Sequence, residues 1–207
     1  KEYLYSRLFT DETIERERWG WSDGYYSIPV WDGESGNSDV LSVRFRAGEG
    51  QEPRYKGISG INESALYNKY SLVGQKIAVV FFGELDAQLC WQDCGIAAVS
   101  PTNGKEAWIH PLWTDYFNGI ERIIIIPDRD DPKKLIPKRK VSLQNLNVKE
   151  KGSRGIVTEY ESALAASDFF GHRARIKTWD DRFSGKDYNA NRVLGMSTKD
   201  FSDWIKT

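Results

Sequence analysis

The sequence predicts an α/β protein in which a parallel sheet flanked by helices is preceded by a small mixed α+β module. Three observations carry this. The runs Ile77-Ala78-Val79-Val80-Phe81-Phe82 and Ile123-Ile124-Ile125-Ile126 are apolar at every position, which marks strands covered by helices on both faces, hence a parallel sheet. Helical stretches alternate with these runs. Ahead of them, two runs rich in β-formers are joined by turn residues, so a hairpin comes first.

In chain order, residues 4–8 and 14–19 read as helical, with Thr10 or Asp11 placed to cap the second. Residues 20–24 break the pattern. Tyr25-Tyr26-Ser27-Ile28-Pro29-Val30 and Val40-Leu41-Ser42-Val43-Arg44-Phe45-Arg46 read as strands around the turn run Asp32-Gly33-Glu34-Ser35-Gly36-Asn37. Residues 48–60 are loop-like and contain Pro53-Arg54-Tyr55. The texture changes near Leu72, dividing the chain into an α+β module at 1–71 and an α/β domain at 72–207. In the second part a helix at 85–94 follows the first buried strand. Then come a strand at 96–99, a loop through Gly104, a short helix near 112–117, and the four-isoleucine strand ending in Pro127-Asp128. After a basic insert, Val157, Tyr160 and Leu164 recur at helical spacing, and residues 173–179 alternate as an edge strand would. A last helix starts near Ser197, where Ser197-x-x-Asp200 resembles a capping box, and buries Phe201, Trp204 and Ile205.

Composition sets the class. Forty per cent hydrophobic residues and eight tryptophans in 207 residues supply a core. No apolar run reaches the ~18 residues that a membrane helix needs, and the start of the chain lacks the layout of a signal peptide. Cys90 and Cys94, the only cysteines, lie four apart in a predicted helix, where a mutual disulfide is geometrically poor. They are too few for a Cys-based structural zinc site. A reducing compartment follows. Lys1 is not methionine and the only Met is Met196, so the chain reads as a segment of a longer polypeptide.

The net charge of −1 hides an asymmetry. Residues 133–154 hold eight basic side chains (among them Lys138, Arg139 and Lys140) against Glu150 alone, so this insert carries +7 and the remainder −8. A basic strip in an acidic body suits a polyanion, although on the charge run alone a solvated loop is the stronger reading. Trp108, Trp113 and Trp179 read as core or rim aromatics, and His110 and His172, without partners at ligand spacing, as structural.

Ligands of parallel α/β sheets bind outside the carboxyl ends of the strands. Acids fall at three of them: Glu84 and Asp86, then Asp128, Asp130 and Asp131, then Asp180, Asp181 and Asp187. Converging carboxylates repel unless a cation sits among them, and hard oxygens suit Mg²⁺ or Mn²⁺. Such ions serve phosphoryl transfer by activating the attacking oxygen and stabilising the leaving one.

Gly83-Glu84-Leu85-Asp86-Ala87, Ala98-Val99-Ser100-Pro101-Thr102-Asn103-Gly104 and Ile126-Pro127-Asp128-Arg129-Asp130 follow, in order, the motifs of TOPRIM domains. That is the acidic metal-binding fold of primases and topoisomerases. The sequence most resembles primases of phages, plasmids and primase-helicases. Gly185-Lys186-Asp187-Tyr188-Asn189 resembles the Lys-Asp-x-Asn element after the last TOPRIM strand of those proteins. Tyr3-Leu4-x-x-Arg7, Ile28-Pro29-Val30, Arg44-Phe45-Arg46 and Pro53-Arg54-Tyr55 look like the segment that precedes TOPRIM in bacterial-type primases. The resemblance spans nearly the whole chain except 133–154.

It implies a TOPRIM-like parallel sheet with Mg²⁺ or Mn²⁺ held by Asp86, Asp128, Asp130 and Asp187, Asp128 serving catalysis as well. By the resemblance, Arg46 and Arg54 would grip a template strand and Tyr55 would stack on a base; Lys138, Arg139 and Lys140 lie in the insert outside it and are expected to add phosphate contacts by their charge alone. Two positions depart from the pattern. Phe82 stands where TOPRIM domains carry a glutamate, leaving Glu84 as the candidate catalytic acid/base, and Ala190 stands where an acid is expected. The leading reading is Mg²⁺-dependent RNA primer synthesis on single-stranded DNA, with nucleotides and a replicative helicase as partners, in bacterial cytoplasm or in a phage or plasmid system of a bacterial host. The alternative is a non-catalytic TOPRIM-like module that binds single-stranded nucleic acid within a replication protein, favoured by Phe82 and Ala190. A TOPRIM nuclease ranks below both, because of the primase-like N-terminal module.

Overall fold

The computed structural model describes residues 1–48, 52–53, 55–57, 65–102, 113–129 and 159–207. Among them nine strands form two sheets. Helices α1 (Glu2–Ser6) and α2 (Asp11–Arg16) come first, and the Thr10 side chain caps α2 by accepting the Thr13 N–H at 3.2 Å. Strands β1 (Gly20–Ser22), β2 (Tyr25–Trp31), β3 (Val40–Ala47) and β4 (Tyr55–Gly57) then build an antiparallel meander in that order. Residues 20–24 were expected only to break the pattern, yet they form β1 and its turn. Asp23 and Gly24 both have positive φ, 51° and 83°, the backbone that a two-residue Asp-Gly hairpin turn requires. The loop-like stretch 48–60 likewise contains β4, which pairs with β3 through Arg46↔Tyr55.

The second sheet has the order β5-β7-β6-β8-β9, from β5 (Leu66–Tyr67), β6 (Ile77–Val80), β7 (Ala97–Pro101), β8 (Arg122–Ile125) and β9 (Ala174–Ile176). β6 to β9 run parallel, and β5 pairs antiparallel to β7 at one edge, so this sheet begins ahead of Leu72. Its helices are α3 (Glu84–Cys94), α4 (Trp113–Tyr116), α5 (Glu159–Phe170), α6 (Tyr188–Val193) and α7 (Thr198–Lys206).

Side-chain alternation along the buried strands divides the interior. Val79, Phe81, Ala98, Ile124 and Ile126 enter a core shared with Leu89 of α3, Tyr188 of α6, Phe201 of α7, and Leu4, Ile14, Ile28 and Val30 of the N-terminal module. Ala78, Val80, Ala97, Val99, Ile123 and Ile125 face the opposite way, onto Trp113, Phe117, Ala163, Ala166 and Phe170. That is the period of two that strand geometry imposes. Each fully buried large apolar side chain contributes about 1.5–3 kcal/mol. Among the described residues the N-terminal module shares the first of these cores and completes one side of the parallel sheet.

Helix α7 has the expected capping box and buries Phe201, Trp204 and Ile205. Helix α5 forms where the spacing reads as helical, with its buried face elsewhere than at the spaced residues. Tyr160 and Leu164 are exposed, whereas Ala163, Ala166 and Phe170 are buried. Ala163 and Ala166 are packed in the core under the sheet. No described helix is long and apolar enough to cross a membrane.

Candidate metal centre

β6 and β8 are neighbours in the sheet, and their carboxyl ends open on one crevice because the chain leaves β6 for β7 on one side and returns to β8 on the other. Past β6, Phe81 and Phe82 lead to Gly83, the cap position of α3. A Cβ on Gly83 would come within 2.7 Å of Asp86 Oδ2, so a side chain there would push the acid aside. Past β8, the Ile126 N–H bonds Val80 O at 2.9 Å, which holds the following Pro127-Asp128 beside the end of β6. Asp187 caps α6, its Oδ1 accepting the Ala190 N–H at 2.7 Å. The loop before it is fixed from both ends. The Asn191 side chain accepts the Gly185 N–H at 2.6 Å, and the Arg129 N–H donates to Lys186 O at 2.7 Å.

These turns bring Asp86, Asp128 and Asp187 together, with one oxygen of each within 4.8 Å of the others. Asp86 and Asp187 are buried and Asp128 is partly so. Burial, then the neighbouring Asp187 and Asp128, push the Asp86 carboxyl well above its ordinary range, against the pull of the Asn189 N–H that it accepts at 2.8 Å. The Lys186 ammonium lies 2.6 Å from Asp187 Oδ2 and 3.3 Å from Asp128 Oδ2. Burial disfavours that ammonium, but Asp128 and Asp187 outweigh it and raise its pKa. Three hard oxygens, an excess of buried negative charge and a cation already drawn among them make a donor set that fits Mg²⁺ or Mn²⁺.

Glu84 is buried but stands outside this triad. Arg44 Nε lies 3.4 Å from its Oε1, and burial raises the Glu84 pKa while its own backbone N–H, Arg44 and Arg46 pull it down. Phe82 packs against the core on the opposite side of the sheet. Asp180 turns to Arg182, at 2.7 Å, and Asp181 is exposed. Arg46 lies between the rings of Tyr3 and Tyr55, 5.8 and 5.2 Å from their centroids, and donates to the Tyr55 hydroxyl. Trp113 and Trp179 are buried and His172 is exposed. Asp130, Asp131, Arg54, Trp108, His110, the insert at 133–154 with Lys138, Arg139 and Lys140, and Val157 lie outside the described residues.

Four contributors were not singled out by sequence as parts of the site. Lys186 bridges two of its acids. Asn189 gives its N–H to Asp86, while its side chain exchanges bonds with Arg7, Nη1 to Oδ1 at 2.7 Å and Nδ2 to O at 2.9 Å. Arg44, for which the sequence leaves a solvated strand face and a template contact equally open, pairs with Glu84. The motif positions of Arg7, Lys186 and Asn189 were visible, but their convergence on the acids needs the fold.

No family model matches the sequence, and no curated protein does. Solved structures do match. The primase fragment of the bacteriophage T7 primase-helicase superposes with a TM-score of 0.69 at 20% identity, covering 98% of this chain and 73% of that one. The E. coli primase catalytic core gives 0.65 at 14%, covering 99% and 71%. A DnaG primase catalytic domain bound to single-stranded DNA gives 0.66 at 14%, covering 99% and 70%. The chain has the fold of primase catalytic cores.

Proposed function

We propose that this chain is the catalytic portion of a primase-like, TOPRIM-type nucleotidyltransferase that makes short RNA primers on single-stranded DNA with Mg²⁺ or Mn²⁺. The convergence of Asp86, Asp128 and Asp187 at the strand ends of this fold carries the reading. These acids, with Asp130, would hold the ion, which when bound supplies charge stabilisation to the reacting phosphate oxygens. Asn189 orients Asp86 through its N–H, and the α6 cap orients Asp187. Glu84, a buried carboxylate beside Arg44, is the proposed acceptor of the proton lost by the attacking 3′-hydroxyl as pyrophosphate departs. Arg46, Arg54 and Tyr55 would line the template path, with Lys138, Arg139 and Lys140 adding phosphate contacts. Single-stranded DNA, nucleotides and a replicative helicase are the proposed partners, in bacterial cytoplasm or a phage or plasmid system.

A second reading is a module that binds single-stranded nucleic acid without catalysis. Phe82 favours it, because an apolar ring packed against the core neither binds a metal nor moves a proton. Primer synthesis separates the two. Given template, ribonucleotides and Mn²⁺, the protein is expected to make primers, and Asp128→Asn to make none. A wild-type protein that binds the template yet makes no primers establishes the second reading.

A further inference from the structure

We infer that Lys186 is a built-in counter-ion of the acidic centre, occupying with its ammonium the carboxylate oxygens that a divalent ion must take and leaving by side-chain rotation when the ion enters. The inference rests on the metal-centre reading above. Asp187 splits its oxygens between two tasks. Oδ1 is committed to the cap of α6, so Oδ2 is the one left to face a cation, and it is the one that Lys186 holds at 2.6 Å. The same ammonium reaches Asp128 Oδ2 at 3.3 Å. It therefore straddles two of the three carboxylates that form the centre.

A Mg²⁺-sized ion binds its oxygens at about 2.0–2.1 Å. Set on the same Oδ2 atoms, it would lie within about 4 Å of the ammonium, where like charges in a partly buried site repel strongly. The two cations exclude each other. Release is local. The Lys186 side chain is 55% exposed, and its flexible four-carbon stem can carry the charge into water. The backbone on either side stays fixed, by Asn191 to Gly185, by Arg129 to Lys186 O, and by the α6 cap at Asp187. The exchange lowers apparent metal affinity, and it spares the folded chain unbalanced repulsion among its acids.

Calorimetric titration with Mn²⁺ alone tests this on the wild type, Lys186→Met and Lys186→Arg. Lys186→Met keeps the length of the stem and removes the charge. It is expected to bind Mn²⁺ about tenfold more tightly than wild type, which corresponds to about 1.4 kcal/mol, with Lys186→Arg close to wild type. Without Mn²⁺, Lys186→Met should melt below the wild type, and saturating Mn²⁺ should abolish the deficit. Equal affinity in wild type and Lys186→Met overturns the inference while leaving the metal centre standing, and weaker binding in Lys186→Met overturns it by showing that the lysine assists the ion. No heat in any of the three sinks the metal centre and the counter-ion together.

Discussion

The two faces of the parallel sheet are built for different work. One face, under α4 and α5, is filled by Trp113, Phe117, Phe170 and the small residues Ala163 and Ala166. The other is shared with the N-terminal module, and there the apolar core runs beside polar ties. Tyr67 donates to Gln88 at 3.0 Å, Gln88 to Glu17 at 3.3 Å, and Asn189 joins Arg7 to Asp86. Asp86 and Asp187 sit where α3 and α6, helices of that second face, begin. Phe82, one residue past Phe81, falls on the first face by strand alternation, whereas Glu84 turns toward Arg44 of β3. The lesson is that the position of a residue after a strand decides which face it serves. A carboxylate two residues from the expected place therefore approaches from another direction, here from beside Arg44.

The widest contrast is in Glu84→Gln. If the second face carries the chemistry, this change should cut primer synthesis by about 10²–10⁴-fold, with single-strand binding near wild type. Retained activity would remove Glu84 from the proposed chemistry. On the first face, Phe117→Ala should cost about 3–5 kcal/mol in denaturant unfolding, since Phe117 is fully buried. Mn²⁺ affinity of the folded protein should be unchanged, and a parallel loss of affinity would show that the faces are not independent. Asp187→Asn should leave α6 capped, because asparagine caps as well as aspartate. Calorimetry should nonetheless show Mn²⁺ binding weakened by at least about tenfold, and undiminished binding would place the ion elsewhere.

What the sequence shows most clearly is what local physics determines. Apolar runs at 77–82 and 123–126 become β6 and β8 with the adjoining residues because burial on both faces leaves few alternatives. The acids after them were legible for the same reason. The Asp23-Gly24 turn was equally local and stood in plain view, but Gly20 and Gly24 together looked like a breaker. The buried face of α5 was not legible from spacing, because Tyr160 and Leu164 are exposed while Ala163, Ala166 and Phe170 are buried. Lys186 lay beyond any local rule. A lysine next to an aspartate reads as a solvated pair until the Arg129–Lys186 backbone bond brings Asp128 across.

The smallest expected effect lies at the far end of α3, where the second face again differs in chemistry from the first. Cys94 is half-buried, and its thiol pKa is lowered to about 6, chiefly by hydrogen bonding to Cys90, then to Tyr188 and Ser202, with burial opposing. Burial first, then Cys94, push the Cys90 thiol well up, so it stays protonated and inert. A folded-state pKa below the unfolded one stabilises the thiolate, so its contribution is fully present above the unfolded value of about 8.5 and fades as pH falls through about 6. Alkylation by iodoacetamide tracks the thiolate. Its rate at Cys94, followed by mass spectrometry, should therefore rise with an inflection near pH 6. Cys90→Ala, which removes the largest cause, should move that inflection upward, and Cys90 itself should react only on unfolding. An inflection at the ordinary thiol value in wild type would mean that Cys90 and Tyr188 do not hold the sulfur.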